Sequence, residues 1–230
     1  MNAVRLTDGT IPAIYFVDLD GTLLTTSSEK FFIKHLIRRK ILSPVVFAGF
    51  LLQYLLHPVR TVREGKGWNR SYLKGMSPDV ARREATVCAG KLVKNNIRHW
   101  TLQSMLELRG SGGIIVLLSA SLEYIVKAVA VNLPVDDIQA SSPEITDNGF
   151  TGNLIGTRPW GKNKIEIAVN ICKRHGVKIT DCATAADSWS DRYLLMESGS
   201  SVAVCPDRRL KRLAAKANWR TVKCRHTKWA

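Results

Sequence analysis

Nowhere in the 230 residues does an unbroken apolar run approach the length of a membrane span. The longest candidate, Ile41 to Leu56, holds twelve apolar residues in sixteen and is interrupted by Ser43, Pro44, Gly49 and Gln53. At about 1.5 Å per residue it is short for a hydrocarbon core of about 30 Å. Met1 to Pro12 lacks the basic-then-apolar order of a secretory signal. Cysteine is sparse and odd in number: Cys88, Cys172, Cys182, Cys205 and Cys224 form no C-x-x-C pair. That spacing suits neither a disulfide framework nor a zinc site, and points to a reducing cytoplasm. Internal repeats and low-complexity tracts are missing as well. The 45% apolar and 23% charged residues are ordinary globular proportions, which excludes a disordered chain.

Acidic residues are also in short supply. Nineteen Asp and Glu face 34 Lys and Arg, for a net charge of +15. The imbalance is local. Residues 28–108 carry fifteen bases and five acids, and residues 207–230 carry nine and one. Residues 1–27 and 109–206 are close to balanced. A basic module and a basic tail are thus added to a balanced domain, and an anionic partner is implied: nucleic acid, an acidic membrane face or a phosphorylated substrate.

The balanced parts read as strands alternating with helices. Ala13 to Val17 is a short apolar strand running into Asp18-Leu-Asp-Gly-Thr22, and Gly112 to Leu118 is a second, ending at Ser119-Ala-Ser121. A helix follows from about Leu122 to Val131. Asp137 to Ile155 holds a hairpin signal at Asp147-Asn-Gly149. Lys162 to His175 is helical, Asp181 to Ala186 and Ser201 to Cys205 are strands, and the stretch from Arg208 to Trp219 is an amphipathic helix. Such alternation predicts an α/β fold, a Rossmann-like, doubly wound, mainly parallel sheet. Residues from Ser28 to about Leu108 show helical spacing instead, with an N-cap at Ser28, another helix opening at Ser77-Pro-Asp, and breaks at Pro44, Pro58 and Gly75.

Asp18 and Asp20 stand at the carboxyl end of the first strand, where open α/β sheets place their ligands. On extended backbone, carboxylates at i and i+2 project to one side. Paired hard-oxygen ligands favour Mg²⁺. One such Asp can attack phosphorus while the other handles the leaving-group proton. A plain turn with two solvated carboxylates would look the same in isolation.

Three further positions accompany them in order: Ser119 at the end of the second strand, Lys164 just inside a helix after Gly161, and Asp187-Ser-Trp-Ser-Asp191 after a later strand. Together these resemble the four motifs of the haloacid dehalogenase-like superfamily, over nearly the whole chain. Val202 to Leu210 is similar to the closing strand and helix of its phosphoserine-phosphatase-like subfamily. The resemblance implies a catalytic core at residues 1–27 and 109–230, with a helical cap at 28–108. It implies a phosphatase with Asp18 as nucleophile and Mg²⁺ ligand, Asp20 as general acid and base with its carbonyl on the metal, and Asp187 completing the metal site. Asp191 would order the metal or the lysine. Ser119 and Lys164 would hold the phosphoryl group, with Gly21, Thr22 and Ala120 lining its pocket. Lys162 is the rival lysine; Gly161-Lys-Asn-Lys164 matches the family's Gly-x-x-Lys in favour of Lys164. Ala186 departs from the family, which often has Gly there.

Phosphoserine phosphatases carry a Glu seven residues after the second Asp, where this chain has Ser27, with Glu29 the nearest acid. Phosphoserine is therefore not the expected substrate. Lys34, Arg38, Arg39 and Lys40 precede the apolar stretch 41–56, and Arg60, Arg63, Lys66 and Arg70 follow it. Either that stretch faces an anionic membrane, or Val45, Phe47, Phe50, Leu51 and Leu55 form the cap's own core. The first alternative suits a lipid-linked phosphate, is accompanied by a looser resemblance to phosphatidylglycerophosphatase C, and would place the protein peripherally at the inner membrane face. The second suits a small soluble phosphate monoester, a phosphoserine-like metabolite. A basic nucleic-acid-binding protein on the same shell is the third reading; no nucleic-acid motif supports it, and no specific nucleic-acid partner is expected.

Overall fold

The computed structural model describes residues 4–223. The last part of the basic tail, and Cys224 with it, lies outside the described residues. Seven strands form one sheet in the order β4-β3-β2-β1-β5-β6-β7. In chain order these are β1 (Ile14–Val17), β2 (Ile114–Leu122), β3 (Asp137–Thr146), β4 (Gly149–Ile155), β5 (Cys182–Ala186), β6 (Ser200–Val204) and β7 (Arg220–Val222). All neighbouring pairs are parallel except the β3–β4 hairpin. β7 is an edge strand that the sequence did not announce: three residues, two of them charged or hydroxylated, carry no periodic signal.

The central strands read as continuous apolar runs because both of their faces are covered. Tyr15, Val17, Ile115 and Leu117 enter one core with Ile125, Val126 and Val129 of α6 (Glu123–Ala130). Their neighbours Ile14, Phe16, Val116 and Leu118 face the other way, onto Ala168 and Ile171 of α7 (Asn163–Arg174) and Leu194 of α8 (Arg192–Glu197). A third, smaller cluster joins Ala186 and Ala203 to Leu210 and Ala214 of α9 (Arg208–Lys216). The fold is the doubly wound α/β architecture.

Five helices lie between β1 and β2: α1 (Ser28–Arg38), α2 (Pro44–Leu56), α3 (Pro58–Glu64), α4 (Pro78–Asn96) and α5 (His99–Gly110). Ser27, one residue earlier than its neighbour Ser28, caps α1 by accepting from Lys30 N. Ser43 and Ser77 cap α2 and α4, and Pro44, Pro58 and Pro78 sit in the first turns, where their missing N–H is harmless. The β-hairpin leans on this helical block: Phe150 N donates to Met76 O at 3.0 Å, and Gly75 N to Phe150 O at 2.9 Å. Gly149, at positive φ, packs so closely on the Met76 carbonyl that a side chain there would collide with it.

Cys88, Cys172 and Cys182 are free and buried. Cys205 is disulfide-bonded, which the scattered spacing had not indicated.

Candidate active site

β1 lies between β2 and β5, where the chain switches from building one side of the sheet to building the other, so a crevice opens beyond its carboxyl end. Asp18 is held at that edge by its own N–H, which donates to Ala185 O at 3.0 Å. Lys164, in the first turn of α7, crosses from the opposite side. Its Nζ lies 2.7 Å from Asp18 Oδ1 and 2.6 Å from Asp191 Oδ1, with only 4% of the side chain exposed. Lys162 is exposed two residues earlier, and its ammonium sits 5.4 Å from the Tyr193 ring centre. Of the two candidate lysines, Lys164 touches the carboxylates.

Asp18, Asp187 and Asp191 offer oxygens within 4.8 Å of one another, a hard-oxygen set suited to a small divalent cation. Burial pushes the Asp18 carboxyl up to about 7 against the pull of Lys164, with Asp191 and Asp20 adding to the rise. Burial, then Asp18 and Asp191, holds Asp187 well above the carboxylate range. At Lys164 burial works against the charge, but the two carboxylates outweigh it and raise its pKa. One cation among three crowded acids leaves the cluster short of positive charge, and a bound cation would supply it.

Gly21 makes this packing possible. Its φ is +85°, and a Cβ there would collide with the Asp187 carboxylate. Thr22 Oγ1 reaches Asp18 Oδ2 at 3.5 Å, while the Thr22 carbonyl accepts from Thr101 and Arg98. Ala186, where a glycine was the family norm, is not among the non-glycine residues at positive φ, so its side chain is accommodated without strain.

Asp20 points elsewhere. Its carboxylate is not part of the three-acid cluster: Oδ1 accepts from Ser28 N at 2.9 Å, and Oδ2 from Ser121 Oγ at 2.7 Å and Ser27 Oγ at 3.2 Å. Ser119 is buried within β2, which runs on to Leu122, further than the sequence suggested, and accepts from Ser121 N at 3.2 Å. The Ala120 carbonyl accepts from Ser141 Oγ and from Arg70 Nη2 at 3.0 Å.

Arg70 corrects the sequence reading. Grouped there with the basic residues around the apolar stretch, it is fully buried and pairs with Glu29 at 2.9 Å, while Tyr72 donates to the same Glu29 oxygen at 2.8 Å. Glu29 is thus committed inside the protein. Arg98, Ser121 and Asp207 were also missed. Arg98 ties down the Gly21 and Thr22 carbonyls, and Asp207 accepts from Trp189 N while its own N–H donates to Asp187 O. An arginine or serine with such a partner looks, in sequence, like any exposed one.

A mainly parallel sheet with a buried lysine and three acids at its carboxyl edge defines a class of α/β hydrolase. Residues 15–196 match the haloacid dehalogenase-like hydrolase family, and the chain belongs to it. Phosphoserine phosphatase SerB1 of Mycobacterium tuberculosis is 24% identical over 215 residues, spanning 91% of this chain and 70% of the relative. The inhibition of morphological differentiation protein of Streptomyces azureus is 25% identical over 218 residues, 89% of this chain and 76% of the relative. Among solved structures, a Bordetella pertussis protein of unknown function superposes with a TM-score of 0.79 at 19% identity, covering 93% and 99% of the two chains. A phosphoserine phosphatase carrying a phospho-aspartyl intermediate analogue superposes with a TM-score of 0.62 at 17% identity, covering 94% and 95%. These structures share the fold.

Proposed function

We propose that the protein is a Mg²⁺-dependent phosphomonoester hydrolase that works through an aspartyl-phosphate on Asp18, with residues 28–108 as a cap over the site. The observation that carries this reading is the contact of Lys164 with Asp18 and Asp191 beside Asp187. When bound by Asp18, Asp187 and the Asp20 carbonyl, with Asp191 in support, Mg²⁺ supplies charge neutralisation at the phosphoryl group. Asp18 attacks phosphorus as the ester oxygen departs with a proton from Asp20. Asp20 then takes a proton from the water that cleaves the acyl phosphate, releasing inorganic phosphate and restoring Asp18. Lys164 offsets negative charge on both the nucleophile and the phosphoryl oxygens. Ser119, whose Oγ accepts from Ser121 N, keeps its own O–H to donate to a phosphoryl oxygen, alongside the backbone at Gly21, Thr22 and Ala120.

The substrate we favour is a lipid-linked phosphate. Supporting it, several apolar residues of α2 and α3 stay exposed, and Glu29, the acid nearest to where phosphoserine phosphatases carry theirs, is spent on Arg70. A soluble phosphate monoester is the second reading, favoured by the likeness to phosphoserine phosphatase. Phosphate release from an aryl phosphate, from lipid phosphates and from soluble phosphates, by wild type and Asp18→Asn with Mg²⁺, tests all three statements. Asp18→Asn should lose at least about a thousandfold in kcat; unchanged turnover would remove Asp18 as nucleophile. Hydrolysis of soluble phosphates alone would decide against the lipid.

A further inference from the structure

The apolar stretch that the sequence left open is split by the structure. Phe50 is buried and Phe47 half-buried, but Val45 (81% exposed), Leu55 (77%), Val59 (77%) and Val62 (85%) project into solvent, with Leu51, Leu52 and Leu56 also exposed. These residues belong to two helices, α2 and α3, that meet at His57 with a bend of 86°. Among the described residues no single helix is long and apolar enough to cross a membrane. α2 contains no charged residue. Exposed cations flank the pair at both ends: Arg38, Arg39 and Lys40 before it, Arg60 and Arg63 within α3.

We propose that the α2–α3 elbow is an interfacial docking surface for an anionic lipid bilayer. An apolar corner sunk to the level of the headgroups, with arginine and lysine around it, is the arrangement that binds such a surface without spanning it. A second copy of the chain would fit less well. Two-fold pairing through this elbow would bring two sets of these cations to one interface, and like charges oppose that contact. The bilayer gains on both counts, since it accepts the apolar residues and neutralises the cations.

The same elbow borders a cavity that reaches the loop after Asp187. Val62, Arg63 and Glu64 of α3 form one wall of a cavity of about 1020 Å³, and Ser188 and Trp189, beside Asp187, form another. Between them stand Arg158 and Trp160, which meet the helical block at its Gly65–Gly67 lip: Arg158 Nη1 donates to Glu64 O at 2.5 Å, and a side chain at Gly65 would press on the Trp160 ring. Docked on the elbow, the protein holds this cavity at headgroup depth. A phosphate on a lipid then approaches the loop after Asp187 without its chains leaving the bilayer. The proposal rests on the lipid-phosphatase reading for its purpose, but not for its test.

The test is co-sedimentation at low salt with vesicles of equal parts phosphatidylglycerol and phosphatidylcholine, against phosphatidylcholine alone, for wild type and Leu55→Glu/Val59→Glu. Both positions are exposed, so the variant keeps the fold and hydrolyses a soluble aryl phosphate like wild type. Wild type should sediment with the anionic vesicles, more weakly as salt rises. The variant should partition about a hundredfold less, having lost the transfer of two apolar side chains. Wild type remaining in the supernatant with anionic vesicles overturns the proposal. So does a wild-type dimer in light scattering that the variant reduces to monomer, because the elbow is then covered by a second copy. Vesicle binding without aryl-phosphate hydrolysis would leave the docking surface standing and sink the phosphatase reading alone.

Discussion

Lys164 Nζ lies 2.7 Å from Asp18 Oδ1, closing 146 residues of chain into one contact between the start of α7 and the end of β1. That single ammonium faces Asp18, Asp187 and Asp191 together. The balance of charge in this cluster sets the metal-free protein's response to pH. Folded, Asp18 holds its proton up to about 7, whereas an ordinary aspartate releases it at 3.8. Between those values the folded chain keeps a proton that the unfolded chain has lost. The stabilisation is complete below 3.8 and withdrawn as pH rises through about 7. Asp187 adds to the trend in the same direction. Thermal melts in chelator should therefore fall in Tm as pH rises across this window. Mg²⁺ should restore the loss, with a larger gain above pH of about 7 than near pH of about 5. A Tm gain from Mg²⁺ that is independent of pH would contradict this account.

Asp20 makes its hydrogen bonds away from the three-acid cluster, and the proposed mechanism gives it the leaving-group proton. Asp20→Asn should lose about 10²–10⁴-fold in kcat on alkyl phosphates. On an aryl phosphate with an acidic phenol the loss should be much smaller, since that phenolate leaves unaided. Equal losses on both substrates would assign Asp20 to positioning rather than proton transfer.

Gly21 has no room for a side chain against Asp187 and holds a left-handed φ. Gly21→Ala should displace the Asp187 carboxylate and raise the Mg²⁺ concentration for half-maximal activity by about tenfold or more. Titration of activity with Mg²⁺ reads this directly.

The buried Arg70–Glu29 pair ties the helical block to the Ala120 carbonyl. Arg70→Met alone should cost about 3–5 kcal/mol in urea unfolding, because it strands a buried carboxylate. Adding Glu29→Gln should recover part of that loss. A strictly additive double variant would show that the two side chains do not interact.

Much of this was legible before the structure. Unbroken apolar runs ending in Asp18, Ser119 and the Asp187 loop mark strands covered on both faces, and their order restricts the sheet to few arrangements. What could not be read depends on partners distant in sequence. Arg70 has the same letters around it whether exposed or sealed against Glu29. Ser121 gains its place only when β2 lies beside Asp20. The edge strand β7 is specified by the exposed side of β6 more than by Arg220–Val222 themselves. Likewise, composition makes 41–56 apolar, but only the packing of Phe50 against Tyr72 shows which side of α2 remains for something else to cover.

The backbone N–H of Ser28 and the hydroxyl of Ser27 both end on Asp20. The start of the helical block is thus tied directly to the carboxylate two residues after Asp18. Moving α1 away from the sheet would take those two donors from Asp20 and leave it the Ser121 hydroxyl alone. The position of α1 is in that sense written on the carboxylate beside Asp18.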